Sequence, residues 1–135
     1  MILVTGGAGF FGSNLVKRLV KEKYRVKVID DLSYGTLLNL KEVKDNSNFL
    51  FIRGSILNKG KVRESMDGVD VVVHMAARTH VDRSILSTIQ FVKVDFEGTA
   101  VVLEEAMKKN VKLLLYISPL QVFLQDLSQK ILHRL

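Results

Sequence analysis

The sequence predicts an α/β fold built as a doubly wound parallel sheet. Two observations carry this: short apolar runs alternate with helically spaced segments, and a loop with glycine at every third position separates the first run from the first helix. The apolar runs are Ile2–Val4, Val26–Ile29, Phe49–Ile52, Val71–Val73 and Leu113–Ile117. Their β-branched and aromatic content and their polar or glycine borders are the pattern of strands buried on both faces. Helical spacing follows at Phe11, Leu15 and Leu19, then over Leu37–Val43 and Val62–Met66. The stretch from Ser84 to Asn110 is the longest connection, and Gly98 leaves open whether it forms one helix or two. Parallel neighbours need crossover connections, and right-handed crossovers of these five strands give the order 3-2-1-4-5.

A chain of 135 residues supports one core and not two. Twenty Lys and Arg against fourteen Asp and Glu leave a net charge of +6. The cations, among them Lys17, Arg18, Lys41, Lys59 and Lys108, are spread over helix faces and loops without a nucleic-acid reader motif, so no nucleic-acid partner is expected. Cysteine is absent, which excludes a disulfide framework and a thiolate metal site and leaves the redox compartment open. No metal is expected. With no secretory signal and no apolar run of membrane-spanning length, the expectation is a soluble, cytoplasmic protein.

Gly6, Gly9 and Gly12 directly follow the first strand and open the first helix. Chemistry requires glycines there: one for the tight turn, one for close approach of a pyrophosphate, one for helix-to-strand packing, with the helix N-terminus receiving the charge. This is the phosphate loop of a Rossmann-type domain. Phe10 and Phe11 lie within the same loop. Asp30 ends the second strand, where a carboxylate can accept both hydroxyls of an adenosine ribose and would repel a 2′-phosphate, favouring NAD over NADP. Asp31 shares that role or caps the following loop.

From Met1 to about Ile117 the sequence resembles the extended short-chain dehydrogenase/reductases, the NAD-dependent nucleotide-sugar epimerases and dehydratases. The resemblance rests on Ile2–Ser13, with Phe11 where Ile is usual, and on His74-Met75-Ala76-Ala77, matching a His-x-Ala-Ala segment whose backbone lines the cofactor. The run Thr79–Ile85 looks most like the dTDP-glucose 4,6-dehydratase subgroup. The resemblance implies that Ala76, Ala77 and Arg78 border the NAD cleft and that His80, Asp82, Arg83 and Ser84 neighbour a nucleotide-sugar. Those four residues equally suit a salt-bridged, capped helix start. Three departures stand out. Ser55, before Ile56, replaces an aspartate that contacts the adenine amino group in the family. Asp95 replaces an asparagine, and a carboxylate buried there would need a partner. Arg78 replaces a small or acidic residue.

The family's hydride chemistry uses a Tyr-x-x-x-Lys pair, a phenol of lowered pKa beside a cation, with an upstream hydroxyl. Here the residues four beyond Tyr24, Tyr34 and Tyr116 are Val28, Leu38 and Leu120. No catalytic residue is therefore assigned. After Ser118 the chain reads Pro119-Leu120-Gln121-Val122-Phe123, where a dehydratase would carry Thr-Asp-Glu-Val-Tyr-Gly. Ser118, Pro119 and Gln121 fit a helix N-cap, first-turn proline and capping partner, and Leu120, Phe123, Leu124, Leu127, Ile131 and Leu135 follow at helical spacing. The expectation is an NAD-binding domain over 1–117 and a divergent amphipathic helix over 118–135. That helix covers a sheet edge within the same domain, pairs with another copy, or ends an interrupted reading frame. The chain is expected to be a truncated epimerase/dehydratase-like protein, or else a non-catalytic NAD-binding subunit that associates through this helix.

Overall fold

The structure, a computed structural model, describes residues 1–77, 89 and 92–117. Strands β1 (Ile2–Thr5), β2 (Val26–Asp30), β3 (Phe49–Arg53), β4 (Val71–His74) and β5 (Leu113–Tyr116) form one parallel sheet in the order β3-β2-β1-β4-β5. This is the order that the alternation predicts. Ile2 lies opposite Val26 on one side and Val71 on the other, which makes β1 the central strand. The connections are α1 (Phe10–Lys21), a 3-10 turn (Leu37–Leu40), α2 (Lys59–Ser65) and α3 (Thr99–Lys108), which is entered through a π-helical turn (Lys93–Gly98).

Strand alternation sends neighbouring side chains to opposite faces and so builds two cores. Leu3, Ile29 and Val72 pack with Val62 and Met66, and with Val102 and Ala106 of α3. Val4, Val28 and Val73 pack on the other face with Val16 and Val20 of α1 and with Leu40. A fully buried side chain of this kind contributes about 1.5–3 kcal/mol. The α2 and α3 layer is also fixed by charge. Arg63 donates from Nε to Glu105 Oε2 at 2.8 Å and from Nη2 to Oε1 at 3.2 Å, clamping α2 to α3. The guanidinium holds the fully enclosed Glu105 carboxyl below the usual carboxylate range.

Two expectations change, and the question left open at Gly98 is answered for the described residues. The outer strands are not buried on both faces: Leu50 of β3 and Leu113, Leu115 and Tyr116 of β5 are exposed. An edge strand has a neighbour on one side only, and the helices on both faces pack mainly over the middle strands: Leu50 and Tyr116 lie on the α2 and α3 face, Leu113 and Leu115 on the α1 face. Leu37–Val43 supplies only one 3-10 turn, because Leu37 and Leu38 face solvent and Leu40 and Val43 alone anchor it. Gly98 does not interrupt its helix. Its φ of −61° and ψ of −43° are helical, and it is buried against Ile56, whose Cδ1 would lie 2.4 Å from an added Cβ. Described residues 92–108 are thus continuously helical. The 118–135 helix lies outside the described residues.

Because the Gly98 contact is with a side chain, the cost of filling it depends on Ile56. Gly98→Ala and Ile56→Ala each lower thermal stability, and together they lose less than their sum by about 0.5 kcal/mol or more. Thermal melts of the four proteins check this, and strict additivity overturns the contact.

Candidate functional site

The loop between β1 and α1 is packed backbone on backbone. Gly6 adopts a φ of +69°, the left-handed region that favours glycine. A Cβ on Gly6 would come within 2.7 Å of Ala76 Cα, and one on Gly12 within 2.3 Å of the Gly6 carbonyl oxygen. Gly9 is the N-cap of α1; it offers no side-chain cap, and no acidic residue sits in the first turn. The opening N–H groups of a helix have no intrahelical acceptor. Arg18 and Lys21 occupy the last turn, so the acidic counterpart is missing only at the cleft end. Local charge and geometry therefore make this end a receiver of anions.

Asp30 closes β2 beside that loop. Its Oδ2 accepts from Ala8 N–H at 2.9 Å and its Oδ1 from Leu32 N–H at 2.8 Å. Burial pushes the carboxyl's pKa up, and the two amide donors oppose that shift. Each oxygen keeps a lone pair beyond the one already used. Asp30 thus shapes the loop as well as facing the cleft, a second role that its position in sequence does not reveal. Asp31 is exposed and accepts from Ser33 N–H at 2.9 Å and Ser33 Oγ at 2.5 Å, so it does cap the following loop.

The far wall is set by His74 at the end of β4. Thr5 Oγ1 accepts from Met75 N–H and Ala76 N–H, each at 3.1 Å. With both lone pairs taken, its proton goes to His74 Nδ1 at 2.6 Å. The neutral ring then carries its proton on Nε2 and donates to Thr99 Oγ1 at 2.9 Å, and Thr99 donates to the Asp95 carbonyl at 2.5 Å. The ring stacks on Tyr116 with centroids 5.2 Å apart. Burial holds its pKa down at about 4. Asp95 itself is only half-buried, which eases the penalty a carboxylate at that position would carry.

These elements surround one cleft of about 720 Å³ at the carboxyl ends of β1, β2, β3 and β4, where an open α/β sheet places its ligand. Gly6, Gly9, Phe10, Phe11, Gly12, Asp30, Asp31, Ser55, Ile56, Ala76 and Ala77 all line it. Phe10 and Phe11 stand exposed in an edge-to-face pair, 5.3 Å between centroids. Arg78, His80, Asp82, Arg83 and Ser84 lie outside the described residues. Sequence reasoning missed Ser33, Tyr34 and Gly35, which border the cleft from the loop after β2, and Met75, Val94 and Ile117. Gly35 was detectable as turn punctuation; a Cβ there would lie 2.6 Å from the Ala8 carbonyl carbon. Among the described residues no group of His, Asp or Glu could hold a metal, and no helix is long and apolar enough to cross a membrane.

A parallel sheet with this strand order, carrying a glycine loop and an acidic strand end on one cleft, defines a dinucleotide-type α/β domain. Residues 2–126 match the NAD dependent epimerase/dehydratase family, and the chain belongs to that family. It is similar to dTDP-glucose 4,6-dehydratase of Streptomyces niveus, 41% identical over 129 residues that cover 90% of this chain and 38% of the relative. The human dTDP-D-glucose 4,6-dehydratase is 35% identical over 127 residues, covering 90% and 36%. Among solved structures, the Streptomyces venezuelae dTDP-glucose 4,6-dehydratase with NAD bound superposes with a TM-score of 0.80 at 37% identity, over 84% of this chain and 37% of that one. UDP-glucose 4-epimerase of Thermotoga maritima gives a TM-score of 0.77 at 36% identity, over 85% and 36%. The chain therefore spans about two fifths of the length of the curated relatives it matches.

Two outcomes follow from this geometry. Gly12→Ala forces backbone apart and lowers the melting temperature by about 4 °C or more, the equivalent of roughly 1 kcal/mol in a domain this size. Because His74 has its pKa lowered from 6.5 to about 4, its contribution is full above pH 6.5 and is lost as pH falls toward 4. The loss is about 3 kcal/mol in full below pH 4, and about 2 kcal/mol of it falls between pH 7 and pH 5. Denaturant titrations at pH 7 and pH 5 measure it as a difference from His74→Gln, and an equal pH slope in the two proteins contradicts the buried neutral ring.

Proposed function

We infer that this chain is the NAD-holding domain of a nucleotide-sugar epimerase/dehydratase-type protein. The observation that carries the reading is the uncapped N-terminus of α1 and the Asp30 carboxylate on one cleft. The residues present fit the cofactor. Gly6, Gly9 and Gly12 clear the way for a pyrophosphate, and the first amides of α1 receive its charge. Asp30, with Asp31 beside it, accepts the ribose hydroxyls, while Phe10, Phe11 and Ile56 supply apolar wall. Ser55 reaches the base, and Ala76 and Ala77 leave room for the nicotinamide half. Arg78 adjoins that half, and His80, Asp82, Arg83 and Ser84 neighbour a nucleotide-sugar.

When bound, NAD accepts or returns a hydride at a sugar carbon. The partners for that transfer, a phenol base and its lysine, are not among these 135 residues in the Tyr-x-x-x-Lys arrangement. The chain alone binds without turnover. Residues 1–117 form the binding unit.

A second reading is favoured by one observation. Leu113 and Leu115 of β5 are 49% and 46% exposed, shortly before the amphipathic run at 118–135. On this reading the chain is a non-catalytic subunit that associates through that run. Sedimentation of the whole chain and of a variant lacking 119–135 is expected to show a dimer or larger species only for the whole chain; monomer in both removes this reading.

For the primary reading, fluorescence titration is expected to show NADH binding, with NADPH weaker by about tenfold or more because the Asp30 carboxylate faces the 2′-phosphate. No NADH binding at millimolar concentration by the folded protein overturns it. Equal affinity for the two overturns the role given to Asp30.

A further inference from the structure

The face of the sheet that carries α1 has a helix seat to spare. Neighbouring strands lie about 4.8 Å apart and packed helices about 8–10 Å apart, so one helix on a sheet spans two strands. α1 links β1 to β2, and its Val16 and Val20 pack with Val4 and Val28. The next seat on that face falls over β4 and β5. There the register sets Val71 beside Leu113 and Val73 beside Leu115, and both leucines stand exposed. Among the described residues no helix serves this face except α1 and the 3-10 turn bearing Leu40. On the opposite face the same edge is covered: Val111 and Leu114 pack into the core built on Val102 and Ala106 of α3.

A helix for the open seat has to start at the carboxyl end of β5, run back along the sheet beside α1 and present one apolar stripe. The sequence of residues 118–135 meets each requirement. Ser118 and Pro119 follow Ile117 with N-cap and first-turn chemistry, and Leu120, Leu124, Leu127, Ile131 and Leu135 recur at steps of four, three, four and four. Strand residues advance about 3.3 Å each and helix residues about 1.5 Å. A helix returning from Ser118 therefore brings Leu124 level with Leu115, and Leu127 level with Leu113. The right-handed rule fixes the face only of a helix that leads into a further parallel strand; a helix seated by packing alone takes the face with room. The run is joined to the seat through Ile117, so docking within one chain avoids the entropic cost of bringing two molecules together.

We propose that residues 118–135 form a helix beside α1, seated within the same chain over β4 and β5. The seat uses the leucines on which the association reading relies, so the two exclude each other. The NAD-holding reading is not involved.

The test is a double-mutant cycle in the whole chain, read by thermal melts alongside sedimentation. Leu115→Ala and Leu124→Ala are each expected to lower the melting temperature by about 4 °C or more, and the pair by less than the sum. Sedimentation is expected to show a monomer. Should Leu115→Ala not fold, Leu113→Ala with Leu127→Ala gives the same cycle one step along the strand. No effect of Leu124→Ala, or strict additivity in a folded set, overturns the proposal. Coupling of Leu124→Ala to Leu103→Ala overturns it too, because exposed Leu103 lies on α3, in the opposite layer. Coupling to Leu115→Ala in a dimer means that a second copy's run fills the seat, which overturns the assignment within one chain and supports the association reading.

Discussion

The directed hydrogen-bond chain through Thr5, His74 and Thr99 is the constraint on which the site depends. It joins the central strand, its neighbour β4 and the start of α3 with one side chain from each. Through Thr5 it also holds the Met75 and Ala76 amides, and so the strip of backbone against which Gly6 packs. Each hydrogen on this path has one acceptor available, so the ring cannot rotate or change tautomer without orphaning a buried group. The cleft wall is rigid because a polar network, enclosed in an apolar sheet, has a single satisfied arrangement.

Asp30 carries the same principle to the opposite wall. A carboxylate placed only to meet a ligand would be mobile in its absence and costly to bury. Here two backbone amides hold both oxygens, one of them from the glycine loop itself. The acid is thereby kept oriented with capacity to spare, and the glycine loop is tied to the end of β2. The two oxygens that face the cleft are also the ones that fix the local backbone.

Much of this was legible in the residues. The strand order followed from alternation and handedness, and the glycines at 6, 9 and 12 announced the loop because their spacing has a steric cause. Less legible were features decided by tertiary neighbours. Gly98 left the number of helices open in the sequence, and what decides it is a contact with Ile56, forty-two positions earlier in the chain. The run from Leu37 has helical spacing but too little core beneath it to need more than one turn. Leu113 and Leu115 read as interior residues because apolar content does not say whether a strand lies at the middle or the margin of its sheet. Ser33 and Tyr34 carry no signal in the sequence; only the path of the loop after β2 brings them to the cleft.

The uncapped start of α1 has one further consequence. A helix that lacks an N-terminal partner is completed by whatever anion settles there, so a ligand at this end becomes part of the folded structure. Its binding free energy would add to the stability of the domain, rising with the logarithm of free ligand once the site is near saturation. If that ligand is the dinucleotide proposed above, resistance of the domain to unfolding and proteolysis would rise with the free dinucleotide concentration.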